Sequence, residues 1–143
     1  MNKPDERFEV SATASSHFAW LRTRMALERT LMAWARTSVS LIGFGFTIVQ
    51  FFQRVQTSAS PEVPVLLPEA PRNFGLALIG SGILGLLVSL WQYYQGLRYL
   101  WGDEFRPVAG VAKELRTTAI MWVSILLVLV GVFAFLVVLF RWA

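Results

Sequence analysis

Three long apolar runs set the limits on this chain: Leu31–Phe52, Gly75–Leu97 and Ala119–Phe140. At about 1.5 Å per helical residue, about 22 residues reach about 33 Å, enough to cross a hydrocarbon core of about 30 Å. Each run is therefore read as a membrane-spanning helix. Together they occupy nearly half of the 143 residues, and no remaining piece is large enough for a soluble catalytic domain. Only 15% of the residues are charged, where soluble domains carry about a quarter. The expected fold is all-α: one integral membrane domain with three transmembrane helices.

Residues 1–15 are polar and mixed in charge, and are read as a flexible cytoplasmic tail ahead of a membrane domain at 16–143. They lack the basic head and short apolar stretch of a signal peptide, and the first apolar run is long enough to stay in the membrane. Its helix is expected to begin earlier, near Ser15 or Ser16, either of which can cap an N-terminus. Pro61, Pro64, Pro68 and Pro71 break the helix before the second span. Orientation follows from the basic residues, because cytoplasmic loops hold the excess of Lys and Arg. Lys3, Arg7, Arg22, Arg24 and Arg29 precede span one, and Arg54 and Arg72 follow it. Arg98, Arg106, Lys113 and Arg116 separate spans two and three, and Arg141 comes last. A cytoplasmic N-terminus and an outside C-terminus put nine of these inside and three outside. Trp20, Trp91, Tyr93, Tyr94, Tyr99, Trp101 and Trp142 fall near the expected interfaces, where amphipathic rings are favoured.

Arg36 lies inside the first run, where an arginine costs about 2.5–3.5 kcal/mol at mid-membrane and usually faces a protein interior or a cavity. Arg22, Arg29 and Arg36 are seven apart, so each is displaced by only about 20° from the one before. The stripe continues through Ala26, Ala33 and Ser40, then Gly43, Thr47 and Gln50. Trp20, Leu27, Leu31, Trp34, Leu41, Ile42 and Val49 form the opposite face, suited to lipid or to a neighbouring helix. Two readings of Arg36 stand level, ahead of a third in which it makes a purely structural pair. It is either one wall of a polar lumen, or it snorkels about 7–8 Å toward the level of Leu31 and binds lipid phosphate. Phe44 and Phe51 flank the stripe within about 60° and are candidate gate residues.

Glu28 follows Arg24 by four residues and is read first as its local ion-pair partner, second as an orienting partner for an arginine of an adjacent subunit. In span two, Ala77, Ser81, Gly85 and Ser89 repeat every four residues, and Gly75, Gly82, Ser89 and Gly96 every seven. Small residues so spaced let helices approach closely, within one chain or between copies. Arg98, at the end of this span, is a candidate extension of the basic mouth. Span three holds only Ser124 and Gly131 among its central apolar residues and is read as the lipid-facing helix. His17, the single histidine, is read as a solvent-exposed arm residue, and with no cysteine present no metal site is expected.

Residues 25–37, with Ala26, Glu28, Arg29, Thr30, Ala33, Trp34, Arg36 and Thr37 at the key places, carry the run A-x-E-R-T-x-x-A-W-x-R-T. This resembles the signature of the YidH-like family of bacterial inner-membrane proteins, a domain of unknown function. The resemblance covers about residues 16–140, and it implies a multi-pass protein of a bacterial inner (plasma) membrane. Tyr93-Tyr94-Gln95-Gly96-Leu97-Arg98 is less basic than the same place in many relatives. The module also looks like the membrane part of the vacuolar transporter chaperone complex, a polyphosphate polymerase. In that complex several copies ring a pore lined by basic residues of the first two spans, so the resemblance implies lining positions for Arg29 and Arg36. These 143 residues hold no counterpart of its polymerase or inositol-phosphate-sensing domains, and no polymer synthesis is expected.

The leading expectation is a homo-oligomer, trimer to pentamer, forming a basic-lined path for phosphate-rich anions. Its alternative is a non-conducting scaffold that binds anionic lipid headgroups through the same arginines. No paired carboxylates or nucleophile–base pair is visible, so no enzyme, cofactor or nucleic-acid partner is expected.

Overall fold

A computed structural model of the chain describes residues 11–58, 70–102, 105–109 and 119–140. Four helices make up nearly all of these: α1 (Ala14–Ser58), α2 (Ala70–Leu100), the short α3 (Arg106–Ala109) and α4 (Ala119–Phe140). Among the described residues there is no strand, and α1, α2 and α4 are each long and apolar enough to cross a membrane. That is the make-up of a multi-pass membrane protein. Residues 1–10 of the expected tail, most of the proline segment, Lys113, Arg116, Arg141 and Trp142 lie outside the described residues.

Helix α1 starts before either serine expected to cap it. Thr13 is the cap: its Oγ1 accepts from the Ser16 backbone N–H at 3.3 Å, and Ser16 Oγ accepts from the Thr13 N–H at 3.0 Å. The two residues thus satisfy each other's exposed donors as a capping box, with Ser16 in the third position. Ala14 and Ser15, expected in the tail, belong to the helix. No proline interrupts the next 45 residues, so α1 runs for about 67 Å, far past its apolar stretch. Pro71, expected to break structure, stands in the first turn of α2, where its missing N–H leaves no bond unmade.

The helices meet along α2's heptad of small residues. A Cβ on Gly45 would lie 2.6 Å from the Gly75 carbonyl oxygen, and one on Gly82 would lie 2.7 Å from that of Ser38. Only a missing side chain lets these backbones come so near. Gly96 packs on Leu27, and Ser89 is buried in the same seam. The four-residue set divides instead: Gly85 lies against Ser38 and Trp34, whereas Ala77 and Ser81 are exposed. A step of four residues rotates about 40° beyond a full turn, so three steps carry the set off the contact, while a heptad drifts only about 20° per step. α4 closes the bundle through Ser124, Gly131 and Val138, again seven apart and buried, and Gly131 meets Ile42 and Ile83. The rest of α4 presents large apolar side chains outward, Phe133 and Phe140 among them.

Ile42, Val49, Ile79, Leu86 and Val138 form the central core. A second cluster joins Trp20 and Leu100 to Val108 and Ala109 of α3. There Trp20, expected at an interface, is buried, and its Nε1–H donates to the Leu100 carbonyl at 3.0 Å. Tyr93 is likewise buried, beside Leu31 and Leu97, while Trp91, Tyr94 and Tyr99 keep the exposure expected of them.

The basic face of helix α1

Helix α1 has two faces with opposite chemistry. Trp20, Leu31, Ser38, Ile42 and Val49 are buried, which puts the side near Leu31 against the bundle. Half a turn away stand Arg22, Arg29 and Arg36, all exposed. Ala33, Ser40, Gly43 and Thr47 share that exposed side, and Gln50 is half-buried at its edge. Phe44 and Phe51, exposed by 65% and 61%, flank the stripe on its second half. The structure thus brings the first-helix residues onto one open face.

The hydroxyls near this face are satisfied locally. Thr30, Thr37 and Ser40 donate to the carbonyls of Ala26, Ala33 and Arg36 at 3.0, 3.2 and 3.0 Å. No acidic side chain among the described residues pairs with Arg22, Arg29 or Arg36. The face therefore presents guanidinium groups with their five donors each open to an external acceptor. A carboxylate or phosphate matches that fork in two-point fashion.

Glu28 has a local partner. Its Oε1 lies 3.7 Å from Arg24 Nε, and Arg24 is buried with its guanidinium 5.8 Å from the Trp20 ring centroid. Glu28 is thereby engaged on the bundle side of α1, away from the stripe. The local Arg24–Glu28 pair expected from the sequence is present, and the burial of Arg24 against Trp20 is the added finding. The spacing of four from Arg24 to both Trp20 and Glu28 was the available sign that it turns inward.

Arg98 is exposed, but it stands eighteen residues, or five full turns, from Gly80, the glycine that faces Phe135 of α4. It occupies the α4 side of α2 and does not join the α1 stripe within one chain. The side chain of Arg106 lies outside the described residues. His17 is not an exposed arm residue: it is part-buried, stacked on Trp20 at 12° between planes, with Nδ1 2.7 Å from the Val108 carbonyl oxygen. Since that carbonyl only accepts, Nδ1 donates. His17 and Trp20 therefore pin the start of α1 to α3 and to the end of α2, holding the extended helix that carries Arg22 and Arg29.

Neither the curated proteins nor the solved structures yield a match to this chain. A family model for a domain of unknown function, DUF202, matches residues 19–99, which takes in the arginine stripe and all but the last residue of α2. That match is consistent with the YidH-like resemblance, and it spans more than half of the 143 residues. The chain belongs to the DUF202 family.

Proposed function

We propose that this protein is a multi-pass protein of a bacterial inner membrane, N-terminus in the cytoplasm, whose copies assemble around a shared axis. Three to five α1 helices then turn their basic faces inward and line a path for phosphate-rich anions. One observation carries the reading. Arg36 lies within an apolar run, on the face turned away from its own bundle, with no acidic partner among the described residues. An arginine facing lipid costs about 2.5–3.5 kcal/mol at mid-membrane and part of that at the off-centre depth of Arg36, whereas facing a hydrated axis removes most of the cost. Closed rotational symmetry is the usual way for identical chains to share such a face. Rings of arginine attract anions and repel cations, and the resemblance to the vacuolar transporter chaperone module supplies phosphate as the anion class. Exposed Ala77 and Ser81 leave a small-residue patch on α2 for contact between copies.

The alternative is a scaffold in which Arg22, Arg29 and Arg36 grip anionic headgroups. It is supported by the lean of helical side chains toward the N-terminus, which carries Arg36 toward the near interface. Flux separates the two. Wild-type protein in liposomes should pass a phosphate-containing anion under an applied potential, and Arg36→Glu should abolish that flux while the oligomer persists. Arg36→Ala should reduce it, and Phe44→Ala should raise it by removing an exposed ring from the path. A scaffold shows no flux in any of the four proteins, and Arg36→Glu then weakens binding to anionic vesicles.

A further inference from the structure

Sequence hydropathy ends the first span at Phe52 and leaves Arg54 in a loop, but α1 continues unbroken to Ser58. That continuity fixes where Arg54 points. It follows Arg36 by eighteen residues, five full turns of helix, so the two share one rotational position about 27 Å apart along the axis. Arg54 is exposed, whereas Arg72 near the same end of the bundle is half-buried. Between Arg36 and Arg54 the face holds Ser40, Gly43 and Thr47, with Phe44 and Phe51 beside them, and no charge at all.

From this we infer that Arg54 is a second anion site, the far member of a pair with Arg36, and that the ligand fitting both is a linear polyanion. The inference rests on the proposed assembly: an arrangement that turns Arg36 toward an axis, with the α1 helices running close to parallel with it, turns Arg54 toward it as well. The result is two basic rings separated by an uncharged stretch bearing aromatic rings. A single phosphate meets them as separate, independent sites. A chain of linked phosphates longer than the gap of about 27 Å binds both at once. Its second contact is then intramolecular, which raises affinity by a factor on the order of a hundred or more. Selection is therefore by chain length as well as by charge.

Binding of inorganic phosphate and of linear phosphate oligomers of graded length tests this, using the full-length oligomer in uncharged detergent. Wild type should show a step in affinity, on the order of a hundredfold, once the oligomer outreaches the gap. Arg54→Ala should remove the step and the far set of short-oligomer sites while leaving the set at Arg36, and Arg54→Lys should restore most of both. Native mass and helix content of each variant confirm that assembly is intact. A smooth length dependence in wild type, or a step that survives in Arg54→Ala, overturns the inference. Arg36→Ala tells this apart from failure of the underlying reading. If it weakens oligomers of every length while Arg54→Ala changes nothing, only the second site is lost; if it too changes nothing, the basic path itself is refuted. Repeating the titration with added phosphatidylglycerol separates the phosphate sources. A step erased by the lipid assigns Arg54 to headgroups and overturns the proposal, and a step that persists supports it.

Discussion

Two glycines of α1, two residues apart, should respond in opposite ways to one added methyl group. Gly45 faces α2, and a Cβ there would lie 2.6 Å from the Gly75 carbonyl oxygen and 2.8 Å from Ile79 Cγ1. Ordinary contact starts at 3.4 Å, so the first distance falls 0.8 Å short. A side chain can rotate out of the way but a backbone oxygen cannot, so Gly45→Ala must push α1 and α2 apart. A gap of that order forfeits a quarter to a half of the dispersion energy of each contact it opens. Overpacking of this kind costs about 1–3 kcal/mol. Gly43 stands on the open face with nothing within 4 Å of its Cβ position. Gly43→Ala therefore keeps only the propensity gain of alanine inside a helix, about 0.5–1 kcal/mol. The propensity gain is common to both positions, so the two variants should differ by the overpacking cost alone, about 1–3 kcal/mol, which is a factor of about five to a hundred or more in the unfolding equilibrium. Reversible unfolding of the dissociated chain in mixed micelles, followed by tryptophan fluorescence and far-UV dichroism, measures the difference. Dissociation matters, because the proposed assembly brings other copies against Gly43. Equal midpoints for the two variants, or a Gly45→Ala midpoint above wild type, would refute the packing argument.

Trp20→Phe keeps a ring in place but orphans the Leu100 carbonyl, at a cost of about 1–3 kcal/mol. Hydrogen exchange should speed up by tenfold or so in residues 14–24 and 97–109 and stay unchanged in α4; an even increase everywhere would contradict the pinning role given to Trp20. With no native cysteine, single cysteines report sidedness directly. Val65→Cys should react with an impermeant maleimide from outside intact cells and Gly110→Cys only after permeabilisation, and the reverse pattern would invert the topology.

Apolar pattern and helix extent are separate properties, and the first helix shows why. Span three was legible because its whole apolar run, Ala119–Phe140, is helix. In α1 they do not. The N-terminal part of α1 is polar on one side only. Its other side buries Trp20 against Leu100, Val108 and Ala109, partners that come from 80 residues or more along the chain. Hydropathy averaged along a segment cannot register such a contact. The same limit explains the aromatic residues. A tryptophan or tyrosine goes to an interface to wet its polar tip, but the indole of Trp20 finds the Leu100 carbonyl inside the fold and has no need of water.

The basic face was legible because helix geometry alone ties Arg22, Arg29 and Arg36 together, whatever surrounds them. Geometry alone does not say which face is turned outward. Two residues rotate a helix by about 200°, so Arg22 and Arg24 look away from each other, and only the packing of α1 on α2 decides which of them is covered. Arg24 is the covered one, held by Glu28 and Trp20, and that leaves Arg22 in the open line with Arg29 and Arg36. Hydropathy leaves Arg54 out of the line for a related reason: the apolar run ends before its helix does. Once α1 is seen to reach Ser58, five turns of rotation put Arg54 back in line with Arg36. A face that is charged at both ends, uncharged between, and opposite the bundle along its whole length is not required by the folding of a single chain. Glycine and arginine there work against helix stability and against lipid exposure, and in the proposed assembly the facing copies offset that cost.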